Sequence, residues 1–164
     1  MTTIRRLDPG DVDALIEAGR GERLFDQIIP AEGARAFLDA PGHHVLIAHE
    51  GDEPVGFVTG VELTHPDKGT EMFLYELAVD PTFRRQGIGT ALVAALRDLA
   101  ADRGCYGMWV LTDSHDAGAI ATYRDAGAGR QSQAVMLEWD LAGDRPAGTP
   151  RESSGGPAPA RIAP

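Results

Sequence analysis

The 164-residue chain contains one cysteine, Cys105. A single thiol excludes an intramolecular disulfide and suits a reducing compartment. Basic residues are scarce too. Fifteen Lys and Arg face 25 Asp and Glu, for a net charge of −10. A nucleic-acid surface needs a basic excess, so this balance argues against a nucleic-acid partner. No segment approaches the roughly 18 consecutive apolar residues of a membrane span. The N-terminal "MTTIRRLDPGD" lacks the apolar stretch of a secretory leader. A cytoplasmic protein with no membrane partner is expected. His43, His44, His49, His65 and His115 show no ligand-like spacing with one another or with Cys105, so no metal is expected.

What remains is ordinary for a folded domain. Apolar residues make up 43% of the chain, enough for one sizeable core. From residue 142 the composition changes to "AGDRPAGTPRESSGGPAPARIAP". This stretch has no apolar periodicity and too little hydrophobicity to offset ordering entropy. The expected organisation is one domain over residues 1–141 and a disordered Gly/Pro-rich tail over 142–164.

Within the domain, "TTIRRL" reads as a strand. "DPGDVDALIEAGR" reads as a helix, with Asp8 as N-cap and Pro9 at its first position. "PAEGARAFLDA" is a second helix. "HHVLIAHE" and "PVGFVTGVEL", joined by "GDE", form a hairpin. "EMFLYELAV" is a long strand, "GIGTALVAALRDLAADRG" a helix ended by Gly104, and "CYGMWVLT" a strand. "DAGAIATYRDAG" is a helix and "QAVMLEWDL" a final strand. This order predicts a mixed α/β fold: a mainly antiparallel central sheet flanked by about four helices. One strand–helix–strand crossover, over residues 71–112, should be parallel.

The segment "VDPTFRRQGIGTALV" carries the first chemical signal. It joins a strand to the N-terminus of the longest helix. The first turn of a helix leaves backbone N–H groups without internal partners, and the helix dipole adds partial positive charge there. Gly87 and Gly89 remove side chains that would keep a ligand off those groups. Arg84 and Arg85 add charge. The combination reads as a phosphate or pyrophosphate cradle. It is not a Walker loop, since no Lys-Ser or Lys-Thr follows the glycines. Nor is it a dinucleotide fingerprint, because Leu92 stands where a third glycine is needed.

"RRQGIG" resembles the acetyl-CoA pyrophosphate loop of the GNAT superfamily of N-acetyltransferases. "LYELAVDPTFRRQGIGTALV" is similar to that family's fourth strand, loop and third helix, and "DAGAIATYRDAG" to a later helix, with Ala119, Ile120, Tyr123 and Gly127 in matching places. Asp116 stands where most of the superfamily carries Asn. With "YELAV" and "VMLEWDL", it makes the chain most similar to the aminoglycoside 3-N-acetyltransferase branch. Thr122, Ala128 and Glu76 depart from that branch's usual residues. The resemblance implies acetyl-CoA as co-substrate, held by Leu77, Ala78, Val79, Arg84, Arg85, Gln86, Gly87, Ile88, Gly89, Thr90 and Asp116. It implies that the backbone around Leu77 and Val79 pairs with the pantetheine arm. It also brings in the homodimers that family members often form.

Acetyl transfer from a thioester to an amine needs a group to take the amine proton, a donor to the oxyanion and an acid for the thiolate. Glu76, a carboxylate in an apolar strand, is the candidate base. Tyr123 is the candidate acid through its motif position, with core packing as its other reading. Asp26, Asp113 and Glu138, along with Asp116, are candidates to line a cationic acceptor site. The expected function is acetyl transfer to a primary amine of a cationic small molecule, foremost an aminoglycoside at its 3-amine. Other amines (a polyamine, an amino acid or a protein N-terminus) and a non-catalytic acyl-CoA sensor are the alternatives.

Overall fold

Strand-forming residues and helical periodicity translate into an open sheet with helices on both faces. The computed structural model describes residues 1–135, Leu137 and Trp139. Its strands are β1 (Thr2–Arg6), β2 (His43–Glu50), β3 (Glu53–His65), β4 (Gly69–Val79) and β5 (Met108–Val110). Its α-helices are α1 (Val12–Ala18), α2 (Ala31–Asp39), α3 (Ile88–Asp102) and α4 (Ala117–Asp125). Among the described residues the strands lie in the order β1-β2-β3-β4-β5. The first three pairings are antiparallel, and β4 to β5, connected through α3, is parallel.

Two cores sit on the two faces. Leu46, Val58, Met72 and Leu74 of the sheet pack against Leu92 and Leu96 of α3, with Tyr123 of α4 joining them. Val45, Ile47 and Phe57 pack on the other face against Leu15, Ala34 and Leu38 of α1 and α2. Burying each large aliphatic side chain contributes about 1.5–3 kcal/mol, so the stripe of α3 is a principal source of stability.

Glycines in β3 let α3 approach the sheet. A Cβ on Gly60 would stand 2.7 Å from Leu96 Cδ1 and 2.8 Å from Met72 Sδ. The C-terminal end of α3 is tied down by polar groups. Arg103 donates to Glu62 at 2.6 Å, and the buried His44 meets the same carboxylate through Nε2 at 2.8 Å. Burial holds the His44 ring below its usual pKa, and the Arg103 hydrogen bond lowers that of Glu62.

Three expectations need correction. Asp8 does not cap α1: its carbonyl accepts from Asp11 N at 2.8 Å, and its own N–H donates to Asp11 Oδ2 at 2.9 Å. Residues 8–11 therefore close a turn, and the helix begins after Asp11. The strand expected over 105–112 is only three residues long, because β5 parts from β4 after Val110. The final strand expected over 133–141 is not formed by Gln133, Ala134 and Val135. Its residues 136, 138, 140 and 141, with the whole expected tail, lie outside the described residues.

The seating of α3 yields a stability test. Gly60→Ala overpacks a site between Leu96 and Met72, both fully buried, and should destabilise the fold by about 1–3 kcal/mol. Urea denaturation should show a lower midpoint with an unchanged slope.

Candidate acyl-transfer site

The site is organised by a bulge in β4. Across β3 and β4 the register runs Thr59 to Glu76 and then Gly60 to Leu74, so Tyr75 is an extra residue. One extra residue exchanges the faces of all that follow. Met72 and Leu74 point into the α3 core. Beyond the bulge it is Leu77 and Val79 that pack there, while Ala78 joins the α1/α2 side.

The backbone turns over in the same way. Met72 N donates to Gly107 O, on the β5 side. Asp80 N, eight residues later and of the same parity, donates to Val55 O on the β3 side. Leu77 and Val79 accordingly aim their N–H and C=O groups toward β5. There they meet no strand among the described residues, since β4–β5 pairing is confined to Met72–Leu74 with Met108–Val110. Beyond Leu74 and Val110 the two strands part, which leaves a gap between them among the described residues. At its mouth Arg84 Nε donates to Val79 O at 3.1 Å.

The glycine-rich turn lies at the end of this gap. Arg85 has φ 61° and Gly87 φ 81°. A left-handed arginine is uncommon and costs about 1–2 kcal/mol, a strain of the kind that collects at ligand-binding turns. Ala91 N is the first helical donor to Gly87 O, which leaves the N–H groups of Ile88, Gly89 and Thr90 to the open end of α3. A Cβ on Gly87 would meet nothing within 4 Å, whereas one on Gly89 would stand 3.3 Å from Thr122 Cγ2 and 3.7 Å from Val79 Cγ2. Gly87 thus fronts open space, and Gly89 lets α4 close on α3. The Ile88 side chain is buried in the core, so only its N–H is available. Arg85 and Gln86 are exposed.

Glu76 lies on the opposite face from α3. It lines a cavity of about 200 Å³ with Leu15, Phe25, Ile29, Phe37 and Thr59. Phe25 is held flat on Phe57, ring centroids 3.9 Å apart. Thr59 is buried, and its hydroxyl has no hydrogen-bond partner among the described residues. These wall residues escaped sequence reading. A Thr between glycines in an apolar strand and the i, i+4 spacing of Phe25 and Ile29 were the available signals.

Tyr123 approaches from the other side, in the α3 core. Burial pushes its hydroxyl pKa up to about 12, with the Asp116 carboxylate adding to the rise. Asp116 itself caps α4, accepting from Ala119 N at 2.8 Å. The structure therefore places Glu76 and Tyr123 on opposite faces of the sheet. It does not bring Asp113 or Asp26 to the cavity, whose lining contains neither. Asp113 instead accepts from His115 N at 2.7 Å and shapes the turn before α4. Glu138 lies outside the described residues.

Residues 14–128 match the sequence profile of the Acetyltransferase (GNAT) family. This chain belongs to the GNAT acetyltransferases. Thialysine N-epsilon-acetyltransferase of Bos taurus is 32% identical over 133 residues, covering 74% of this chain and 78% of that protein. Mycothiol acetyltransferase of Salinispora arenicola is 32% identical over 125 residues, 74% of this chain but 39% of its own length. An aminoglycoside acetyltransferase from an uncultured soil metagenomic sample, solved in complex with sisomicin, superposes with a TM-score of 0.77 at 26% identity, covering 85% of this chain and 96% of that one. Aminoglycoside N-acetyltransferase AAC(6')-Iy in complex with CoA superposes with a TM-score of 0.68 at 19% identity, over 85% of this chain and 95% of that one, and shows the shared fold. The GNAT chain is an N-acetyltransferase with acetyl-CoA as its donor. The gap along β4, the open turn at Gly87 and the free amides of α3 fit that donor's elongated arm and diphosphate.

The buried tyrosine of this GNAT site has a measurable signature. Asp116→Asn keeps a capping oxygen and removes a charge. The Tyr123 pKa should fall from about 12 but stay above the usual 10 or so, since burial remains. Ultraviolet titration against a Tyr123→Phe control would show it, and an unmoved pKa would remove Asp116 as a cause.

Proposed function

We propose that the enzyme acetylates the primary amine of a small molecule, with Glu76 as base and Tyr123 as acid. The observation that carries this reading is the bulge. It puts the backbone of Leu77 and Val79 toward the gap and the adjacent Glu76 carboxylate in the cavity. Arg84, Arg85, Gln86, Gly87 and the amides of Ile88, Gly89 and Thr90 are proposed to hold the diphosphate of the donor, in a turn that combines charge with open backbone.

An alkylammonium has no lone pair and titrates near 10. Glu76, directly or through a water, would take its proton. The neutral nitrogen then attacks the thioester carbon: a C–N bond forms, the C–S bond breaks, and the electron pair leaves on sulfur. Backbone N–H groups of β4 directed into the gap would stabilise the oxyanion. The Tyr123 hydroxyl, whose raised pKa keeps it protonated, would give the thiolate its proton. The products are an amide and the free thiol.

The 26%-identical neighbour bound to sisomicin supports an aminoglycoside as acceptor; the 3-amine as target follows only from the resemblance carried by Asp116, "YELAV" and "VMLEWDL". The apolar lining of the cavity favours a second class, an amine on an apolar body. A carboxylate in the cavity and a protonated tyrosine on the other face of the sheet support catalysis over a sensor role. The lone Cys105 and the donor support a cytoplasmic setting.

Two measurements test the roles. Glu76→Gln should lower kcat by about 10²-fold at pH 7, with partial recovery toward pH 9, where more amine is already neutral. A mutant with wild-type kcat/KM at pH 7 would remove Glu76 from the mechanism. Gly87→Val puts a branched side chain into open space at φ 81°, a conformation strained for any β-branched residue. Calorimetry should show CoA affinity falling by about tenfold or more, and unchanged affinity would sink the cradle.

A further inference from the structure

We infer that the acceptor of this enzyme is a monoamine carrying one compact apolar group, a phenylalkyl or branched alkyl chain, seated in the cavity above Glu76. The inference rests on the transferase reading and concerns its acceptor alone.

The cavity has a polar floor and apolar walls. Glu76 and Thr59 are cross-strand partners on β4 and β3, and both line it. The walls are Leu15 of α1, Phe25 and Ile29 of the connecting segment, and Phe37 of α2. Phe25 is fixed by its stack on Phe57, with the rings 11° from parallel, so this wall is preformed rather than collapsed around a ligand.

Size and chemistry point the same way. An apolar protein cavity of about 150 Å³ takes up a benzene molecule, and this one is about 200 Å³. One ring or a five-carbon branch fills the enclosed part of this half-open pocket. An aminoglycoside ring would bring several hydroxyl and ammonium groups against leucine and phenylalanine walls. Each group left without a partner there costs on the order of tenfold in affinity. Among the described residues, two carboxylates that would have answered a polycation, Asp26 and Asp113, are absent from the lining.

The Thr59 hydroxyl completes the argument. It is 3% exposed and has no partner among the described residues. A buried polar atom left unsatisfied calls for a ligand or water. Opposite Glu76, a turn of its side chain would bring this enclosed hydroxyl to the cavity, where it accepts a hydrogen bond from the amine nitrogen and fixes it at the floor. The apolar walls disfavour the ammonium form of the amine, which helps it yield its proton to Glu76.

The test uses the full chain with acetyl-CoA and thiol detection. The acceptors are 2-phenylethylamine, 3-methylbutylamine, spermidine and the two-ring aminoglycoside neamine. Expected is a kcat/KM for 2-phenylethylamine at least tenfold above that for neamine or spermidine. Neamine turned over as well or better overturns the inference and leaves the transferase reading standing. Calorimetric binding of 2-phenylethylamine in the presence of CoA separates the two further: binding without thiol release supports the cavity and fails the catalytic reading, and no binding overturns the cavity. Thr59→Val keeps the volume and removes the hydroxyl. It should raise KM for 2-phenylethylamine about tenfold while the melting temperature stays level or rises. An unchanged KM overturns the anchoring role of Thr59.

Discussion

One inserted residue governs this site. A regular β4 would keep Met72, Leu74 and Glu76 on one face, and the carboxylate would be pressed into the aliphatic core beneath α3. Burying it there without a partner would cost far more than any packing gain. With Tyr75 bulged out, the strand presents apolar side chains to α3 on both sides of the irregularity, and Glu76 reaches the other face. The same half-turn aims backbone groups into the gap. Side-chain placement and main-chain availability are two results of one change in register.

Much of this could be read from residue order. β2 has the bounds its composition predicts, and α3 and α4 follow their glycine punctuation closely. The turn at Arg84–Gly89 announces itself because charge, glycine and a helix start coincide. The bulge was not legible. "FLYELAV" alternates well enough to pass for a regular strand, and only cross-strand register betrays the extra residue. The cavity wall was hidden for a different reason. Phe25 and Ile29 belong to no regular element, and their role depends on long-range packing against Phe57 and Val45. Acidic residues near the motifs were more visible and less relevant: Asp113 and Asp116 serve local turns and caps, as these residues commonly do.

Glycine in the "RRQGIG" turn serves two ends that sequence alone merges. Gly87 supplies a left-handed conformation facing open space, and Gly89 supplies helix packing. The charge pattern separates in a similar manner. The chain is strongly acidic as a whole, yet Arg84 and Arg85 gather at the Gly87 turn. Arg23 reaches the same end of β4 by pairing with the buried Asp80 at 3.1 Å. The Thr82 hydroxyl and amide hold that carboxyl below its usual pKa, which keeps it charged for the pair.

Helix α3 can also be viewed as a lever. Fifteen residues span about 22 Å. Its far end is clamped by Arg103 on Glu62, with His44 behind the carboxylate. Its working end carries the amides of Ile88, Gly89 and Thr90. A tilt of about one degree about the clamp displaces those amides by roughly 0.4 Å over that length, close to the ~0.5 Å tolerance of a preorganised site. The orientation of the Gly87 turn therefore depends partly on how the far end of the same helix is held, by the Arg103–Glu62 ion pair.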